Sequence, residues 1–255
     1  MKFKSVSAAV LLLSLSGCAA AGGGPAADES DVIAKAVEPS LRAAAAAAEA
    51  NRDWKGAAQH WRTLYVRSPK DKELALGLAR ALRYGGEPRQ GADLLQEAMG
   101  RLGRDPALVA ELGKAWLAAD RLGLAIKTLE EARVLAPGDW EVQSALGVAL
   151  DSANRLDEAQ AAYGRALALS PDNPVVLNNL ALSQATAGRL DQAVATLRQA
   201  EEQPQAGLQI RQNLALLLAL KGDATAAERA AAKELPAEMV RTNAAFLRWL
   251  ADGGR

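Results

Sequence analysis

Residues 179–197 read NLALSQATAGRLDQAVATL, and residues 213–231 read NLALLLALKGDATAAERAA. At an offset of 34, Asn179-Leu180-Ala181-Leu182 falls on Asn213-Leu214-Ala215-Leu216. Carried back without insertion, that register starts units at residues 38, 72, 106, 140, 174 and 208. Each position of the unit then defines a column. Column 8 reads Ala45, Ala79, Gly113, Gly147, Ala181 and Ala215, and column 20 reads Ala57, Gly91, Ala125, Ala159, Ala193 and Ala227. Only small side chains let two helix backbones approach closely, so these columns predict where the two helices of a unit meet. Column 7 (Ala44, Leu78, Leu112, Leu146, Leu180, Leu214) and column 24 (Trp61, Leu95, Leu129, Tyr163, Leu197, Ala231) supply the larger apolar side chains.

The punctuation falls in phase with the columns. Pro69, Pro137 and Pro171 share column 32, where a second helix must stop. Asp71, Asp105, Asp139 and Asn173 share column 34 and predict N-caps for the following first helices. Pro106 and Pro174 follow two of them, at a helical position where no donor is lost. Asp157, Asp191 and Thr225 are expected to cap second helices in the same way. A 34-residue unit of this pattern resembles the tetratricopeptide repeat (TPR). The resemblance implies an all-α, right-handed superhelix of about six helix-turn-helix repeats. After Glu234 and Met239 the pattern fades. Thr242-Asn243 can cap a terminal helix with Phe246, Trp249 and Leu250 on one face, closing the last repeat as a solenoid requires. The first helix of unit one, expected over Leu41 to Asn51, is mostly alanine; it has high helix propensity and little area to bury.

Composition excludes several classes of function. Lys plus Arg equals Asp plus Glu at 30 each, so there is no basic field for nucleic acid. A single Cys cannot make a disulfide framework or a thiolate zinc site, and a single histidine, His60, cannot make a two-histidine metal motif. His60 reads as an ordinary helix residue beside Trp61. Gly22-Gly23-Gly24 and Gly85-Gly86 read as tether and turn rather than a phosphate loop. No metal, cofactor or catalytic set is expected, which points away from an enzyme.

The N-terminus reads as an address. Lys2 and Lys4 precede an apolar run over 6–15 that is too short to span a bilayer, the pattern of a secretory signal. Leu15-Ser16-Gly17-Cys18 resembles a bacterial lipobox, which implies cleavage before Cys18 and acylation of that residue. More than one acyl chain is needed for lasting anchorage. Position +2 is Ala19 rather than the Asp of an inner-membrane retention signal, so the outer membrane is the expected address. The expected organisation is a signal peptide over 1–17, a flexible tether over 18–30, the repeat array over 31–241 and a capping helix over 242–255.

The repeat supplies one site, the concave face, formed by first-helix columns 2, 5, 6, 9, 12 and 13. Here it carries Arg80, Arg83 and Lys114, then Asn178, Asn179, Gln212 and Asn213. Amides offer both donor and acceptor to an extended peptide backbone, and the cations offer a partner to a carboxylate. The basic and amide residues lie in different units, unlike a chaperone-tail carboxylate clamp.

The lipobox, the six units and the tail together resemble the TadD family, TPR lipoproteins of Flp/tight-adherence pilus systems. The tail residues are Gln212-Asn213-Leu214-Ala215-Leu216, Gly222-Asp223, Ala226-Ala227-Glu228-Arg229, Leu235-Pro236 and Asn243-Ala244-Ala245-Phe246-Leu247-Arg248. That resemblance implies a non-enzymatic scaffold on the periplasmic face of the outer membrane. It implies protein partners, an outer-membrane secretin or another pilus-assembly component. A TPR lipoprotein of β-barrel assembly, a type IV pilotin and an adaptor for peptidoglycan hydrolases are scaffolds on the same fold.

Overall fold

The computed structural model of the chain describes residues 29–232 and 245–251. By contacts the chain divides into residues 1–39 and residues 40–255. Of the first unit only the start of helix α1 (Glu29–Ala50) is described, with Pro39 inside that helix. Among the described residues every regular element is a helix.

The second unit is an all-α superhelical repeat. Helix α2 (Trp54–Arg67) completes the first pair. Four pairs follow: α3 (Lys72–Tyr84) with α4 (Pro88–Leu102), α5 (Pro106–Ala118) with α6 (Leu122–Leu135), α7 (Trp140–Ser152) with α8 (Leu156–Leu169), and α9 (Pro174–Thr186) with α10 (Leu190–Glu201). Then come α11 (Leu208–Leu220) with α12 (Ala224–Ala232), and a last helix α13 over 245–251. The first helices of successive units touch, α3 on α5, α5 on α7, α7 on α9 and α9 on α11. That places α3, α5, α7, α9 and α11 on the inner, more crowded layer of the array.

Packing follows the columns. The alanines of columns 8 and 20 are all buried. A Cβ on Gly91 would stand 3.0 Å from the Ala79 carbonyl oxygen, so columns 20 and 8 do meet backbone to backbone. Column 8 also answers to column 24. A Cβ on Gly113 would reach 2.6 Å from Leu129 Cγ, and one on Gly147 would reach 2.5 Å from Tyr163 Cε1. Where column 24 is Leu95 or Leu197, the facing column 8 residue is Ala79 or Ala181.

The first helices are capped as expected. Asp71 accepts from the Glu73 and Leu74 N–H groups, Asp105 from Ala107, Asp139 from Glu141 and Val142, and Asn173 from Val175 and Val176. The second helices differ from expectation. Asp157 and Asp191 lie inside the first turn of α8 and α10, whose N-caps are Arg155 and Arg189, and Thr225 lies inside α12. The cause is the inter-helix turn. Arg52, Gly86, Asp120, Asn154, Gly188 and Gly222, all in column 15, have φ between 57° and 88°. The next residue's N–H returns to the carbonyl five positions back, as from Arg155 to Leu150 at 2.9 Å and from Arg189 to Gln184 at 2.8 Å. This Schellman-type closure sets the N-cap of the second helix two residues before column 18. The column 18 carboxylates act on the helix dipole instead of as caps. Asp53 and Asp223, one residue past the turn, do cap α2 and α12.

Both ends depart from the sequence expectation. Helix α1 has begun by Glu29, inside the expected tether and twelve residues before Leu41. Ala, Glu and Lys over 29–38 extend it readily, even though Pro39 removes one helix donor. In α13 the residue that is buried, in the same apolar cluster as Ala227, Ala230 and Ala231, is Leu247, with Leu250 partly buried against that cluster. Phe246 and Trp249 are about half exposed and stack on each other at 5.8 Å. Cys18, the signal peptide, the tether to residue 28, Leu235-Pro236, Met239 and Thr242-Asn243-Ala244 lie outside the described residues.

Candidate functional site

First-helix side chains of units two to five line one cleft of about 630 Å³ on the inner layer, bounded by Arg80 at one end and Val175 at the other. Column 9 and column 12 residues reach it because they sit three apart on a helix, one turn, and so share a face.

Its polar end is a ladder of ion pairs between units. Arg83 Nε donates to Glu111 Oε1 at 2.7 Å, and both side chains are largely buried. Burial opposes the Arg83 charge, but the Glu111 carboxylate and, after it, Tyr84 together outweigh it and hold the guanidinium pKa above its ordinary value. Arg83 also lies 4.2 Å over the Tyr84 ring, which stacks on Trp54 at 4.6 Å. One unit on, Lys114 Nζ donates to Glu141 Oε2 at 2.7 Å. That hydrogen bond first, and the charges of Lys114, Arg80 and Arg83 with it, hold the Glu141 carboxyl below its ordinary pKa. Arg80 is exposed and makes no hydrogen bond or ion pair with any described residue.

The amides lie further along, on α9 and α11. Asn213 Nδ2 donates to Asn178 Oδ1 at 2.7 Å, and Asn178 Nδ2 points to Asn179 Oδ1 at 3.4 Å. Asn178 is 7% exposed, so its amide bridges two units rather than facing outward. Asn179 and Asn213 are half-buried and Gln212 is exposed. Around them the inner face turns aliphatic, with Val175, Leu216 and Leu220 among the exposed large apolar residues.

Of the seven expected groove residues, then, Arg80 and Gln212 are open, Arg83 and Lys114 are engaged by carboxylates, and three amides form a chain. Glu111 and Glu141 escaped sequence reasoning. Their signal was there, 28 and 27 residues past their cations, but pairing at that separation depends on how one unit turns against the next. His60 is half-buried in α2. Among the described residues, no three His, Cys, Asp or Glu side chains converge as a metal site would require.

The family profile described as tetratricopeptide repeat matches residues 76–139 and 144–207, just over half of the chain. No curated protein matches the chain in sequence. A thermophilic TPR protein from Thermus thermophilus superposes with a TM-score of 0.65 at 24% identity, over 71% of this chain and 98% of its own. MamA from Desulfovibrio magneticus superposes with a TM-score of 0.53 at 17% identity, over 65% of this chain and 93% of its own. At such identity the likeness shows the fold alone.

Proposed function

The chain belongs to the tetratricopeptide-repeat family, and from that premise we propose that it is a non-enzymatic scaffold of the outer membrane, anchored on the periplasmic side through acylated Cys18. Its concave face holds an extended segment of the secretin of a Flp/tight-adherence pilus, or of another component of that machine. The lipobox Leu15-Ser16-Gly17-Cys18 and the resemblance of the tail to the TadD family support the address and the machine.

The observation that carries the binding reading is the continuous inner cleft from Arg80 to Val175, with half-buried Asn179 and exposed Gln212 beyond it. An extended segment presents a donor and an acceptor at nearly every residue, and burying them unpaired is costly. Asn179 and Gln212 can answer both kinds of group. Asn213 is a poor place to test this, because its amide already satisfies buried Asn178.

The test is made on the full chain in cells. Asn179→Ala with Gln212→Ala should lower secretin recovery in a pull-down while helicity and melting temperature stay near wild type. Cys18→Ser should release the protein from the outer-membrane fraction. Wild-type secretin recovery by the double variant would sink the groove reading. Recovery of β-barrel assembly components or peptidoglycan hydrolases in place of pilus components would keep the groove and replace the machine.

A further inference from the structure

The cleft is not uniform along its length, and this restricts what fits it. Three cations line it, Arg80, Arg83 and Lys114, against two carboxylates, Glu111 and Glu141. Two of the cations are engaged by those carboxylates, which leaves one positive charge in surplus at Arg80. Toward unit five the lining changes to Ala145, Val148 and Val175, and Val175 is 58% exposed. The inner face then continues to exposed Leu216 and Leu220 on α11. Water solvates both ends in the free protein, but an occupant must satisfy them differently. A carboxylate beside Arg80 forms a charge-assisted bond, and aliphatic groups beside Val148 and Val175 remove apolar surface from water.

Resting on the reading of the concave face as the binding face, we propose that its occupant is an extended protein segment with an acidic side chain against Arg80, followed toward unit five by aliphatic side chains against Val148 and Val175. The inner face continues past Val175 to exposed Leu216 and Leu220 on α11, so the occupant can run on beyond its aliphatic side chains. First helices spaced about 8–10 Å apart over the three steps from α3 to α9 span roughly 25–30 Å. An extended segment covers that in about eight to nine residues.

The probe is a random library of 12-residue peptides, roughly the length of the inner face, each acetylated and amidated so that no terminal charge exists. It is panned on the full mature chain. Enriched peptides should carry Asp or Glu followed or preceded at a fixed distance by Leu, Ile or Val. Arg80→Glu should weaken a selected acidic peptide about tenfold or more, consistent with loss of a hydrogen bond to a charged group. Arg80→Lys should retain most of the binding. Val175→Asp should abolish the aliphatic preference and leave the acidic one. Melting curves on both exposed-site variants check that the array is intact. Enrichment without an acidic excess, or binding indifferent to Arg80→Glu but lost in Asn179→Ala with Gln212→Ala, would overturn this inference and leave the groove reading standing. Binding lost only on Val134→Asp, an exposed position on the outer helix α6, would overturn both.

Discussion

Replacing Gly147 with alanine adds one methyl, and the structure says where it goes. The new Cβ would lie 2.5 Å from Tyr163 Cε1 and 2.7 Å from Cζ, distances no real contact tolerates. The ring cannot simply retreat. Tyr163 is 1% exposed, and its hydroxyl donates to Asp151 Oδ2 at 2.8 Å while Ser183 from the next unit donates to Oδ1 at 2.6 Å. Burial, and then the Asp151 charge and hydrogen bond, push the phenol pKa well above its ordinary value, so it stays a donor. Overpacking costs about 1–3 kcal/mol, and tilting the ring weakens a bond to a charged group worth about 1.5–3 kcal/mol. Alanine returns about 1 kcal/mol of helix propensity over glycine. The net expectation is a loss of about 2 kcal/mol in urea unfolding followed by circular dichroism. Tyr163→Leu in the same chain gives the pairing found at Ala79/Leu95 and Ala181/Leu197 but gives up the bond to Asp151, so the two substitutions together should cost less than the sum of each alone. A double-mutant cycle measures that coupling. Gly147→Ala as stable as wild type, or a double variant whose losses merely add, would refute the column 8 to column 24 argument.

Two further predictions concern the ion ladder. Glu111→Ala leaves the Arg83 guanidinium buried without its partner and should cost about 3 kcal/mol, whereas Arg83→Met with Glu111→Met should be close to neutral, measured by urea unfolding. Equal losses in both would refute the burial argument. Glu141 has its pKa lowered in the fold, so the stability it adds is present above the ordinary glutamate value of 4.5 and disappears as pH falls through its depressed value. The stability gap between wild type and Glu141→Gln should therefore be constant near neutrality and close on acidification below 4.5, and a gap that widens there would contradict the sign.

Features decided within one helix, or between residues at a fixed column, are legible without coordinates. The 34-residue period, the small residues of columns 8 and 20, and the caps Asp71, Asp105, Asp139 and Asn173 all express local backbone requirements that recur through the array. The second-helix starts are misplaced by sequence reading for a local reason too. A left-handed residue in column 15 can be Arg52, Asp120 or Asn154 as well as glycine, so residue type alone does not mark the turn.

What the sequence alone determined is therefore the repeat, its register and the face its first helices present. Tertiary structure decided the rest: that Gly147 is small because of the Tyr163 ring rather than Ala159, that Glu111 and Glu141 claim Arg83 and Lys114, that Asn213 serves Asn178, and that Leu247 rather than Phe246 or Trp249 seals α13. Each of these pairings joins residues on different helices, most of them in different units. The rotation of one unit on the next selects the partner, and that rotation is a sum of many small packing contacts that no single column records.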